Sequence, residues 1–150
     1  MDKPIPTAAL ILGLAGLIPL VWGARTLVSP AMATWGLQTF GARFIGPHVQ
    51  LSYGVVILAF MSGVLWGFAT KAEGAQAAAG DGLSVIPALW GFFFTGGGVT
   101  SASIYLAAGF AGLLALDWHF WSHGLAPPWW MKLRLLLTTG VLICLGVSIL

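Results

Sequence analysis

Tyr53 to Gly67 reads YGVVILAFMSGVLWG, an apolar run placed for a membrane and carrying glycine where a water-soluble helix avoids it. At helical spacing Ala59, Gly63 and Gly67 fall four apart on one face with Ser62 beside them, so a neighbouring backbone can approach where side chains are missing. That face predicts a packing seam. Ile57, Leu58, Phe60, Met61, Val64 and Leu65 cover the remaining surface, as expected of a helix solvated by lipid or by other helices. Trp66 closes the run at the depth where aromatic rings meet headgroups.

The composition agrees with this reading. Of 150 residues, 59% are hydrophobic and 7% charged, and the mean hydropathy is +0.96, far too little charge for an ordinary soluble surface. The expected fold is an all-α integral membrane protein, one domain over residues 1–150. The six basic residues and net charge of +2 are too few and too scattered for a nucleic-acid surface, so the lipid bilayer and other membrane proteins are the expected partners. Cys144, the only cysteine, lies in an apolar run and reads as a small core residue. The opening Met1-Asp2-Lys3-Pro4-Ile5-Pro6 holds no basic leader, and the first helix is expected to be retained rather than cleaved as a signal.

Outward from the opening stretch, five crossings are expected. Thr7 to Leu27 is the first, roughly 30 Å of helix, with a bend at Pro19. Ser29-Pro30 has the chemistry of a helix start, and Ala33, Leu37, Phe40 and Phe44 repeat at helical spacing. Pro30 to Phe44 therefore predicts a helix lying in the membrane interface, a loop cap on the bundle being the alternative. The second crossing runs from about Leu51 to Ala69. Lys71 to Gly82, KAEGAQAAAGDG, reads as a mobile polar linker. Leu83 to Trp118 is too long for one helix, at about 54 Å, and is interrupted by Thr95-Gly96-Gly97-Gly98. It divides into a short third span, about Ser84 to Gly96 with Pro87 inside, and a fourth from about Val99 to Trp118. Met131 to Leu150 is the fifth.

The opening stretch, with its Tyr-Gly start and Trp-Gly end, resembles the transmembrane protein 69 family, a domain of unknown function (family 3429) found in bacteria and mitochondria. Leu12 to Pro19, LGLAGLIP, resembles that family's first helix. Pro128-Trp129-Trp130-Met131-Lys132-Leu133-Arg134, followed by Thr138 and preceded by Asp117, resembles its last. Trp130 stands where tyrosine is expected and Leu65 where members often carry a polar residue. The resemblance implies architecture and order of segments; it supplies no chemistry.

Two constellations carry the candidate chemistry. Asp117 and Arg134 lie near the ends of consecutive spans on one side of the membrane, where charge is costly unless paired or hydrated. A clasp between the fourth and fifth spans is one reading, and a ligand-binding or proton-transfer role the other. His119 and His123 are four apart and could face one metal or haem, but the spacing is weakly specific and no other histidine is nearby in sequence. No metal and no cofactor are expected. The bland reading makes His119 and His123 part of an interfacial anchor with Trp118, Trp121, Trp129 and Trp130. Nothing resembles a phosphate-binding loop or a nucleophile with its base, so an enzyme is not expected.

An odd number of crossings puts the termini on opposite sides, with Lys3, Lys71, Lys132 and Arg134 on the N-terminal side against Arg25 and Arg43. The bias predicts a cytoplasmic N-terminus, or the matrix side in a mitochondrion. With no KR-rich stretch resembling a transit peptide, a bacterial inner membrane is the expected location. The functional expectation is a non-enzymatic accessory subunit or assembly factor of a larger membrane complex, acting through helix contacts. The alternative is a small-molecule binder or transporter built on the third and fourth spans.

Overall fold

The computed structural model describes residues 3–150; Met1 and Asp2, the start of the opening expected to hold no basic leader, lie outside the described residues. Among the described residues, five segments are long and apolar enough to cross a membrane: Thr7–Val28, Gly46–Ala69, Gly74–Phe94, Val99–Ser122 and Trp130–Ile149. The chain is a multi-pass, all-helical membrane protein.

The first crossing is two helices, α1 (Thr7–Ala15) and α2 (Ile18–Val28). Pro19 lacks the N–H that would continue the ladder, and the backbone tightens just before it: Leu17 N donates to Leu14 O at 3.0 Å and Gly16 N to both Leu12 O and Gly13 O. The result is a bend with the ladder restored at Val21 N, which donates to Leu17 O at 2.9 Å. Beyond the bend α2 packs on the central helix, whereas α1 has no buried residue and meets chiefly the last helix.

Helix α3 (Pro30–Phe40) follows, capped by Ser29, whose hydroxyl accepts from Met32 N at 3.3 Å. Gly41, at φ 93°, ends it, and a 3-10 turn, Ala42–Phe44, replaces the expected continuous helix to Phe44. Trp22, Trp35 and Phe40 form an edge-to-face cluster with centroids 5.6–6.2 Å apart, and Trp22 Nε1 donates to Phe44 O at 2.7 Å. These contacts tie α3 and the turn to the end of α2.

The central helix, α4 (Gly46–Ala69), carries the opening stretch of sequence and packs against α2 and the third and fourth crossings. Its internal face is Gly54, Leu58, Met61, Ser62, Leu65 and Ala69. A Cβ added at Gly54 would lie 2.5 Å from Leu106 Cδ2, so this glycine makes room for Leu106 of the fourth crossing. Apart from Ser62, the expected seam is not part of this inward face. Ala59, Gly63 and Gly67 are exposed, and a Cβ at Gly63 or Gly67 would meet nothing within 4 Å; of the seam residues only Ser62 packs inside the chain. A helix apolar on every side has no polarity difference to say which stripe faces inward.

The third crossing is α5 (Gly74–Ser84) and α6 (Ile86–Phe94). The expected mobile linker over Lys71 to Gly82 is thus helical from Gly74. Alanine favours the helix, and Gly80 lets α5 close on α4, an added Cβ lying 3.0 Å from Ala69 Cβ. Pro87 interrupts the ladder as Pro19 does, and the N–H of Ala88 finds Ser62 Oγ on α4 as its acceptor, at 2.8 Å. Thr95 to Gly98 makes the turn into α7 (Val99–Ser122), and α8 (Trp130–Ile149) closes the bundle along α7. Lys132 Nζ donates to Lys3 O at 3.4 Å, so Lys3 lies beside the start of α8.

Candidate functional site

Asp117 sits five residues before the end of α7, fully buried, and Arg134 one turn into α8, 5% exposed. Arg134 Nε donates to Asp117 Oδ2 at 2.8 Å. Trp130 Nε1 donates to the other oxygen, Oδ1, at 3.0 Å. Each oxygen of the carboxylate is therefore matched by a donor, which answers the cost of burying the charge. Trp130 packs edge-on against Phe68 of α4, with centroids 5.0 Å apart, so the cluster ties α4, α7 and α8 together at one level. Trp130, one of the expected interfacial anchors, is half-buried and turns its indole N–H to the pair.

The remaining anchors lie where the ends of α4 and α7 meet the start of α8. Trp66 and Trp118 are more than half exposed, Trp118 and Trp121 rings are 5.2 Å apart, and Trp121 Nε1 donates to Pro128 O at 3.2 Å. Trp129 is partly exposed beside Trp130. Lys71 Nζ donates to Leu125 O at 3.1 Å, which places Lys71 at this same end with Lys3 and Lys132.

The two histidines are close, with ring centroids 4.3 Å apart. His123 Nδ1 lies 2.8 Å from His119 O and so is engaged with its own helix. Asp117 points inward to Arg134 rather than toward them, and no group of three or more His, Cys, Asp or Glu positioned for a metal occurs among the described residues.

A second polar node escaped the sequence reading. Gln50, fully buried in α4, donates through Nε2 to Leu20 O of α2 and Cys144 O of α8, both at 3.0 Å. Gly23 makes room for it: a Cβ there would lie 2.6 Å from Gln50 Cγ and 2.8 Å from Gly46 O. Gln50 Oε1 is buried without a partner, as is Thr138 Oγ1 on α8. Beside this node Thr26 Oγ1 accepts from Gly46 N at 2.7 Å, capping the start of α4 from the neighbouring helix. The available signal was a single amide side chain between Val49 and Leu51, in a segment where an unpartnered polar group is costly.

Among the pockets of the described residues, two bear on the candidate chemistry. One, about 330 Å³, lies between α6 and α7 against Pro87, Trp90, Gly109 and Gly112, with no charged residue in its wall. The other, about 270 Å³, lies where α1 bends away from α4, floored by α8 and with Arg134 in its wall.

Comparison with known proteins gives a family. Residues 5–150 match the family described as "Protein of unknown function (DUF3429)". Transmembrane protein 69 of Xenopus tropicalis is 32% identical over 140 residues, covering 91% of this chain and 51% of that protein. The chain thus spans about half the length of the curated relative it matches. No solved structure matches. With the profile running over nearly every residue of the five crossings, the chain belongs to the DUF3429 family of membrane proteins, of which transmembrane protein 69 is a relative.

Proposed function

We propose that the chain is a non-enzymatic protein of helix contacts, an accessory subunit or assembly factor of a larger membrane complex. The observation that carries this reading is the outward face of α4. Ala59, Gly63 and Gly67 present a small-residue stripe with open space beside both glycines, the surface against which a second transmembrane helix packs closely. Within the chain, the Asp117 carboxylate, Arg134 Nε and Gln50 Nε2 join helices. The rival site between α6 and α7 offers a ligand shape but no ionisable group to orient it.

Gly63→Leu and Gly67→Leu separate a docking face from a structural one. A Cβ at either position meets nothing within 4 Å in the chain, so unfolding of the lone protein in mild detergent is expected to stay unchanged. The mass of the natively purified complex, measured by light scattering, is expected to fall to that of the chain alone. A native protein that already has the mass of one chain, or variants that keep the full mass, would overturn the proposal.

The proposed location is a bacterial inner membrane with the N-terminus in the cytoplasm. Support comes from the gathering of Lys3, Lys71 and Lys132 at one end of the bundle, the side that positive charge marks as cytoplasmic.

A further inference from the structure

The bend before Pro19 has a geometric result: α2 lies against α4, but α1 leans away and rests on α8. The gap between α1 and α4 is a groove of about 270 Å³, nearly all of it apolar. For scale, an empty apolar cavity of about 150 Å³ already takes up benzene. Gly13 and Gly16 thin one wall, Ile57 and Phe60 form the other, and α8 is the floor. Leu12 and Phe60 on opposite rims are 73% and 65% exposed, so the groove opens sideways onto the surface that faces lipid.

One polar group interrupts the wall. Arg134 is nine-tenths buried and lines the groove, and it spends only Nε on Asp117. Neither of its terminal nitrogens is hydrogen-bonded to any described residue. A guanidinium in a poorly hydrated place with unused donors calls for an acceptor. Asp117 already balances its charge, so an anion placed directly on it would leave the buried cluster net negative, whereas a neutral carbonyl satisfies the donors without adding charge. Depth narrows the choice further. Arg134 is four residues from the start of α8, about 6 Å into the crossing, at the boundary between hydrocarbon and headgroup where glycerol esters lie. Outside that level Lys132 reaches Lys3 O, giving positive charge at the headgroup end.

We propose that the groove holds one acyl chain of a bilayer phospholipid. Its ester carbonyl accepts from the terminal nitrogens of Arg134, its chain runs between α1 and α4 toward Val141, and its phosphate lies near Lys132 and Lys3. The site is thus a fixed lipid position in the gap left by the bent first span.

The test is native mass spectrometry of the detergent-purified, delipidated protein titrated with phosphatidylglycerol. One retained lipid per chain is expected. Ile57→Trp fills the groove without touching the ionic pair, and retention is expected to weaken at least tenfold while the fold, followed by circular dichroism, is unchanged. The paired replacement Asp117→Asn with Arg134→Leu removes the donors without stranding a charge and is expected to weaken retention to a similar degree. Equal retention by the native protein and Ile57→Trp would overturn the proposal, as would a native protein that purifies with an isoprenoid quinone that phosphatidylglycerol fails to displace.

Discussion

Neutralising one member of the Asp117 and Arg134 pair is expected to cost more than neutralising both. The pair is buried on both sides, with side-chain exposures of 0% and 6% and a 2.8 Å contact. Removing one partner of such a pair costs about 3–5 kcal/mol, because the other charge stays behind unpaired. The lower end applies here: in Arg134→Gln the carboxylate keeps the hydrogen bond from Trp130, and in Asp117→Asn the amide oxygen can still accept from either donor. About 3 kcal/mol for each single variant is therefore the expectation. The double variant replaces two charges with two amides that can bond to one another, and should lie within about 1–2 kcal/mol of the native protein. The resulting coupling, about 4 kcal/mol, exceeds the range of most neighbouring pairs. Unfolding in mild detergent with increasing dodecyl sulfate, followed by circular dichroism, measures all four corners of the cycle. Losses that add within about 0.5 kcal/mol would refute the clasp. Recovery of stability without recovery of complex mass in the double variant would assign the pair a working role beyond holding α7 to α8.

Gly23→Ala should destabilise by about 1–3 kcal/mol through overpacking against Gln50 and the backbone of Gly46, whereas Gly63→Ala should cost nothing; thermal unfolding of both in one detergent checks the contrast. Gln50→Leu gives up two interhelical hydrogen bonds, each about 0.6 kcal/mol in membrane proteins, and also an unpartnered acceptor, so a net loss near 1 kcal/mol is expected. A loss above about 3 kcal/mol would mean that Gln50 Oε1 has a partner, such as an internal water. Reporters fused to the two termini should occupy opposite compartments, and signals from one side would refute the five crossings.

The crossings were legible because each requires an apolar run, and the bend was legible because Pro19 leaves a residue without its ladder hydrogen bond. Asp117 and Arg134 were legible for an energetic reason: two opposite charges near membrane ends have few stable arrangements apart from each other or water. The inward face of α4 was not. Gly54 and the stripe of Gly63 are equally plausible contacts on a helix whose sides differ little in polarity, and the side chain that decides the matter, Leu106, is 52 positions away. Composition also misled over Gly74 to Gly82, where glycine and alanine suggested a flexible chain, although Gly80 is what lets that segment pack on Ala69. Ser62 was placed beside the stripe with no partner named, because the N–H it serves, that of Ala88, follows Pro87 in a different crossing.

The bend in the first crossing also divides its stability. Residues Leu20, Gly23 and Thr26 anchor α2 in the interior, while α1 buries none of its nine residues. Opening α2 therefore disrupts the packed centre, but α1 can detach as a local unit of low free energy. Inside lipid a detached α1 keeps its own backbone hydrogen bonds, so the two halves differ in lateral freedom rather than in helicity. A span assembled in this way can complete its insertion in two steps, its second half docking on α4 before its first half settles on α8.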